Sequence, residues 1–265
     1  MNHYHHTIGV GATDELSLRV SVASLVRVLF KNPQDGQIML ALERTATLRE
    51  KAGIRNVTVS VKPFGGGVRL TNPELMKKMI GNFHYDSERS RREKDFRIQI
   101  APSSWEMIKN ICRDQKIPEY RILDDSPERE LEEEFEDSLD VKITPLRYRL
   151  KKLGMIIHEK PEKTNSVRAP DQPTVRIYYL FEAEIVDSDL VLKIISNSQK
   201  YSDHDLQEIV WEDVRKGGKG RANGTLVLPF DKLKKLYHSL PSDRDGKPVV
   251  FGDHYFENNV ISILG

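Results

Sequence analysis

The sequence predicts an α+β fold, a mixed sheet flanked by helices. β-rich runs recur at residues 20–30, 57–61 and 175–185, one Glu-rich helical segment stands out at 127–139, and strands outnumber helices with no internal repeat. A chain of 265 residues suits one elaborated domain or two small ones. Its layout reads as an N-terminal tail (1–18) and a single domain (19–265) that carries an insertion at 68–126.

Composition narrows the function classes. Lys and Arg number 41 against 40 Asp and Glu, so no net field draws the chain to nucleic acid or a membrane surface. The single cysteine, Cys112, excludes a disulfide within the chain and suits a reducing compartment. No stretch approaches the roughly 18 apolar residues of a membrane span. The start, Met1 to His6, lacks the basic-then-apolar layout of a signal peptide, so a cytoplasmic protein is expected. His3, His5 and His6 read as a polar tail rather than a metal site, because no further ligand stands at metal-site spacing.

Taken in order, residues 19–44 predict a β-hairpin. Val20, Val22, Leu25, Val26, Val28, Leu29 and Phe30 lead into the turn signal at 31–36, and Ile38, Leu40 and Leu42 then alternate with Met39, Ala41 and Glu43. Val57–Val61 is a second β-rich run and passes into Lys62-Pro63-Phe64-Gly65-Gly66-Gly67, where three glycines allow close backbone approach to another group. The insertion predicts a helix at 73–80, a charged stretch at 87–94, a strand at 96–100 and a helix opened by Ser103 or Ser104 through Arg113. The helix at 127–139 starts at Pro127 with acids in its first turn, as the helix dipole prefers. Strands are expected at 141–146, 155–159 and 175–185, a polar loop at 160–173, a loop or helix start at 196–205, a glycine-rich loop at 217–224 and a helix at 230–238. The remainder, 241–265, holds turn signals and a short apolar end.

The helix at 127–139 carries the chemistry. With about 100° per residue, Leu131, Phe135 and Leu139 form a buried stripe, while Glu130, Glu133 and Glu134 gather beside it with Asp137 among them. Like charges at these spacings repel by some tenths of a kcal/mol per pair. A bound hard cation such as Mg²⁺ reverses that sign, since it takes carboxylate oxygens. A solvated acidic helix is the competing explanation.

Arg129-Glu130-Leu131-Glu132-Glu133-Glu134, together with Gly65-Gly66-Gly67, resembles the signature of the Nudix hydrolase superfamily. The family joins the two parts directly, whereas here about sixty residues separate them. Its middle glutamate has no clean equivalent, with Glu74, Asp124 and Asp125 the nearest acids, and Glu136-Asp137 replace the closing glycine–apolar pair. The split layout resembles the divergent Nudix domains of bacterial cyclic-oligonucleotide (SMODS-type) antiviral defence systems. The resemblance implies a Nudix-like mixed sheet and Mg²⁺ (or Mn²⁺) held by Glu130, Glu133 and Glu134. It implies that Glu133 and Glu134 are catalytic, that Arg129 orients the face, and that Gly65, Gly66 and Gly67 lie against substrate. The reaction it implies is metal-dependent hydrolysis of a diphosphate linkage in a nucleoside diphosphate derivative, with the cation lowering the pKa of the attacking water.

Two other readings stand beside it. One is a catalytically weak or inactive module of the same fold that binds or senses a nucleotide signal. The other is nucleic-acid binding through basic patches, Arg89–Lys94 or Arg215–Arg221, and it is disfavoured because acids interrupt the first and the second does not match a P-loop. The expected partner is a nucleotide or nucleotide-derived small molecule, with no membrane, and a homodimer is left open. Phe64, Tyr178 and Tyr179 are candidates to stack on a base, although aromatics on strands more often belong to the core.

Overall fold

The structure, a computed structural model, describes residues 16–51, 53–113, 122–163, 171–238, 249–251, 254–256 and 259–264. It is a mixed α+β fold with a large, mainly antiparallel sheet and flanking helices. His3, His5 and His6, and parts of 241–265, lie outside the described residues.

Strands β1 (Leu18–Lys31) and β2 (Ile38–Lys51) form the expected hairpin, with Val28 opposite Ala41 and Lys31 opposite Ile38. In its turn the side chains of Asn32 and Asp35 accept from the amides of Gln34 and Gln37, the local bonding that makes such residues turn formers. β3 (Ile54–Lys62) stops at Pro63, which has no amide for a ladder, and β4 (Phe64–Gly67) then pairs with β1. β5 (Arg69–Leu70) precedes helix α1 (Pro73–Ile80), which Asn72 caps by accepting from the Leu75 amide at 3.0 Å. After β6 (His84–Tyr85), the charged stretch is a short helix, α2 (Glu88–Glu93), in which Arg89 pairs with Glu93 and Arg91 with Glu88. β7 (Arg97–Ile100), a 3-10 turn at Pro102–Ser104 and α3 (Trp105–Arg113) follow.

β8 (Leu123–Asp124) leads to α4 (Glu128–Leu139), the Glu-rich helix, within a residue of its expected start. The strand expected at 141–146 is absent. Pro145 opens a 3-10 turn there instead, and β9 (Tyr148–Lys163) begins later and runs into the stretch read as a polar loop. β10 (Pro173–Ile185) is the expected strand. Residues 188–215 form two helices, although a loop or helix start was expected only at 196–205. Asp187 caps α5 (Ser188–Lys200), and a reciprocal Ser202–Asp205 capping box starts α6 (Asp203–Arg215). The glycine-rich loop ends at Gly220, because Arg221 to Gly224 already pair with β2 in β11 (Arg221–Pro229). α7 (Phe230–His238), β12 (Val249–Phe251), β13 (His254–Phe256) and α8 (Asn259–Leu264) complete the described chain.

The chain divides into two compact units. Unit 1 comprises Met1–Val22, Gly67–Asp125 and Ile157–Ile177; unit 2 comprises Ala23–Gly66, Ser126–Ile156 and Tyr178–Gly265. In unit 1, Leu18–Ser21 of β1 pair antiparallel with Ile100–Arg97 of β7, and Leu70, Met76, Phe96, Ile98 and Ile108 are buried. The Arg19 guanidinium lies within this unit against Asp86, 2.6 Å away, and both side chains are nearly inaccessible. Unit 2 is organised by β2. One stretch of this strand pairs with β1 as far as Ala41, the next pairs with β3 from Glu43 onward, and β11 runs along it from Met39 to Thr47. Leu206 and Val210 of α6 pack on Ala46, Val57 and Ala222, while Phe230, Leu233, Val260 and Ile263 pack on Leu40, Leu42 and Val61.

Candidate functional site

The glycine turn and the Glu-rich helix meet within unit 2. Leu131 and Phe135 of α4 are fully buried, and the Phe135 ring lies 4.9 Å from that of Phe64, an aromatic pair of the sort worth about 0.5–1.5 kcal/mol beyond its area. Asn197 of α5 donates to the Ser138 carbonyl at 2.9 Å and accepts from the Thr225 amide, so the end of α4 is tied to β11. These contacts aim one side of the helix at residues 62–66.

The residues of the glycine turn and of the α4 face can now be placed. Glu134 accepts from the Gly65 amide at 2.6 Å through Oε2 and from Lys62 Nζ at 3.0 Å through Oε1. Glu130 rests against Gly66, where a β-carbon would collide with its carboxylate, and forms an ion pair with Arg129. Glu133 does not join them. Its side chain is 59% exposed and meets Arg129 at 3.1 Å. Asp137 is exposed as well, and Leu139 is only half-buried. Gly67 belongs to unit 1, where a β-carbon would press on Asp95. Gly65 has φ +127°, and a β-carbon there would run into the Ser24 carbonyl, so glycine is required by conformation and by space. Phe64 and Tyr179 are core residues, which leaves neither ring open to a base.

Two residues at this place, Glu43 and Lys62, were not singled out. Glu43 and Lys62 stand directly opposite each other on β2 and β3, which puts their side chains on one face of the sheet. Lys62 Nζ reaches Glu43 Oε2 at 2.6 Å. The other Glu43 oxygen accepts from Thr45 at 2.8 Å and from Arg221 of β11 at 3.2 Å. Glu43 is wholly buried, although alternation along β2 marks it only as the polar partner of Leu42. An acid directly after the alternating Ile38, Leu40 and Leu42, in the middle of a strand, is the one signal available in the sequence.

The electrostatics follow from burial. Desolvation pulls Lys62 downward, yet the carboxylates of Glu134 and Glu43 outweigh it and hold the ammonium above its ordinary value. Burial also pushes Glu43 upward, but Lys62, with bonds from Glu134 and Thr45, brings it below the usual carboxylate range. Burial and the neighbouring charge of Glu43 lift Glu134 well above that range despite Lys62. Glu134 is therefore the member of the pair that takes up a proton first.

A divalent cation needs several oxygens converging on one point. Among the described residues, no group of three or more His, Cys, Asp or Glu is disposed to hold a metal ion. Glu130 and Glu133 are engaged by Arg129, while Glu43 and Glu134 are engaged by Lys62, with Arg221 adding a further positive charge at Glu43. Three cations facing four carboxylates leave little charge for Mg²⁺ or Mn²⁺ to neutralise. The side chains as arranged do not fit the metal that the resemblance implies.

The glycine-rich basic loop is built around an acid. Asp213 Oδ2 accepts from the Gly220 amide at 2.8 Å, and the Asp213 carbonyl accepts from Gly218. These amides are thus not turned outward to cradle a phosphate, whereas Arg215, Lys216, Lys219 and Arg221 are exposed. In unit 1, Arg89 and Arg91 of the basic patch pair with Glu93 and Glu88 within α2. No helix among the described residues is long and apolar enough to cross a membrane.

Comparison of the chain with protein-family models, with curated proteins and with solved structures gives no match.

Proposed function

We propose that unit 2 is a nucleotide-binding module of Nudix-like layout that binds or senses its ligand without metal-dependent turnover. The observation that carries this reading is the internal neutralisation of the carboxylate face by Lys62, Arg129 and Arg221. A pyrophosphohydrolase needs its cation to generate the attacking hydroxide and to offset phosphate charge. Without that cation, the acids of α4 repel a phosphate chain, so positive side chains must receive it. Arg221 supplies one. Its side chain touches Glu43 yet remains 43% exposed, and it directly follows the loop that carries Lys216 and Lys219 after Arg215 ends α6. Exposed lysine and arginine donors of this kind suit the terminal oxygens of a nucleoside diphosphate derivative.

The test is calorimetric binding of ADP and ADP-ribose to the full chain, with and without Mg²⁺, alongside an assay for cleavage of the diphosphate bond. Saturable binding without cleavage is expected, weakened by Lys216→Ala/Lys219→Ala and by added salt. Release of two phosphorylated products that depends on Mg²⁺ or Mn²⁺ would instead make the protein the hydrolase that the resemblance implies.

A further inference from the structure

Lys62 stands where two carboxylates converge in unit 2. Its Nζ lies 2.6 Å from Glu43 Oε2 and 3.0 Å from Glu134 Oε1. The Glu43 side chain is 0% exposed, and its Oε2 faces the Lys62 ammonium at 2.6 Å. A buried carboxylate oxygen held in this way is the kind of donor that a hard cation takes.

The backbone keeps Lys62 there. Its register opposite Glu43 is part of a nine-residue ladder between β2 and β3, and Pro63 ends the strand immediately after it. The second oxygen of Glu134 is held from the other side by the Gly65 amide at 2.6 Å. Two buried acids from different elements, β2 and α4, are thereby clasped around one ammonium group.

We infer that Lys62 is the resident cation of this site and keeps a divalent ion from binding between Glu43 and Glu134. An ammonium supplies one positive charge and three directed donors, whereas Mg²⁺ supplies two charges and demands a near-octahedral set of oxygens. The exchange removes the Lewis acid that would lower the pKa of a bound water. The carboxylates then brace the glycine turn instead of activating a nucleophile. This deepens the proposed function and rests on it only in treating the α4 face as the site that has lost turnover.

The experiment is titration of the full chain with Mn²⁺, followed by electron paramagnetic resonance of the free ion. Wild type, Glu134→Gln, Lys62→Met and Lys62→Met/Glu134→Gln are compared. Lys62→Met is expected to take up a single equivalent of Mn²⁺ that the added Glu134→Gln abolishes, while wild type takes up none at this place. Mn²⁺ uptake by wild type that Glu134→Gln removes would overturn the proposal, as would a folded Lys62→Met that takes up no Mn²⁺. If Lys62→Met fails to fold without metal, refolding in Mn²⁺ is expected to recover it, and failure under both conditions counts against the proposal. None of these outcomes involves a nucleotide, so failure of ligand binding is separately visible.

Discussion

The Gly65 amide donates to Glu134 Oε2 over 2.6 Å, joining residues that lie 69 positions apart in the chain. Through this bond the glycine turn becomes part of the carboxylate cluster rather than a simple reversal. It also gives Glu134 a directed donor on the side away from Lys62, so the carboxyl is clamped from two directions.

The two glycines that meet α4 should respond differently to alanine. At Gly65 the backbone has φ +127° and the added carbon meets the Ser24 carbonyl, which cannot move without disturbing β1. Gly65→Ala is expected to cost about 1–3 kcal/mol from backbone strain, with the collision adding to that. Gly66→Ala meets only the far end of the Glu130 side chain, which can swing aside, so its loss should be clearly smaller. Urea unfolding of both variants checks the order, and equal losses would contradict the account.

Stability should fall as pH rises through the raised value of Glu134. A carboxyl lifted in the folded state by burial and by Glu43 contributes stability that is fully present below the unfolded pKa. That contribution is lost as the group ionises in the folded protein. Glu43 has the opposite sign, because Lys62 brings it below its usual range. Its contribution is present above the unfolded pKa and is lost only as pH falls through the lowered value. Unfolding free energies measured from acid to alkaline pH should show the decline on the alkaline side of the ordinary Glu value, and Glu134→Gln should abolish it. An unchanged slope in that variant would refute the assignment.

In unit 1, Asp86→Ala should be strongly destabilising. Arg19 donates to Asp86 Oδ2 through Nε at 2.9 Å and Nη2 at 2.6 Å, Ser90 donates to Oδ1 at 2.7 Å, and the two charged side chains are 6% and 0% exposed. Truncating one partner leaves a buried guanidinium unpaired, which typically costs about 3–5 kcal/mol. Asp86→Ala/Arg19→Met removes both charges and should recover part of that loss, measurable by thermal or urea denaturation. No recovery in the double variant would show that the ion pair is not the source of the loss.

Local patterning made part of this fold legible. Alternation and turn chemistry place the β1–β2 hairpin, and the spacing of Leu131 and Phe135 places α4 and its buried side. The helices at 188–215 were harder to read, since their short apolar sets, Leu190–Val191–Ile194 and Leu206–Val210, sit among polar residues. Only their caps, Asp187 and the Ser202–Asp205 box, mark where they begin. The strand expected at 141–146 failed because its apolar residues Val141 and Ile143 are buried without a ladder partner, ahead of Pro145.

The sequence alone determined that α4 presents several glutamates beside a buried stripe, and that a conformationally free turn follows β3. Both are properties of neighbouring residues, set by helical period and by glycine. Which of those glutamates face the turn, and what they meet there, only the tertiary structure decided. The opposition of Glu43 and Lys62 arises from the pairing register of β2 with β3, and the reach of Arg221 from the pairing of β11 with β2. Register is a relation between distant segments, fixed by the whole ladder and the packing around it. On the acidic helix that reads as a metal face in one dimension, Glu134 meets Lys62 from a strand while Glu130 and Glu133 meet Arg129 of the helix itself.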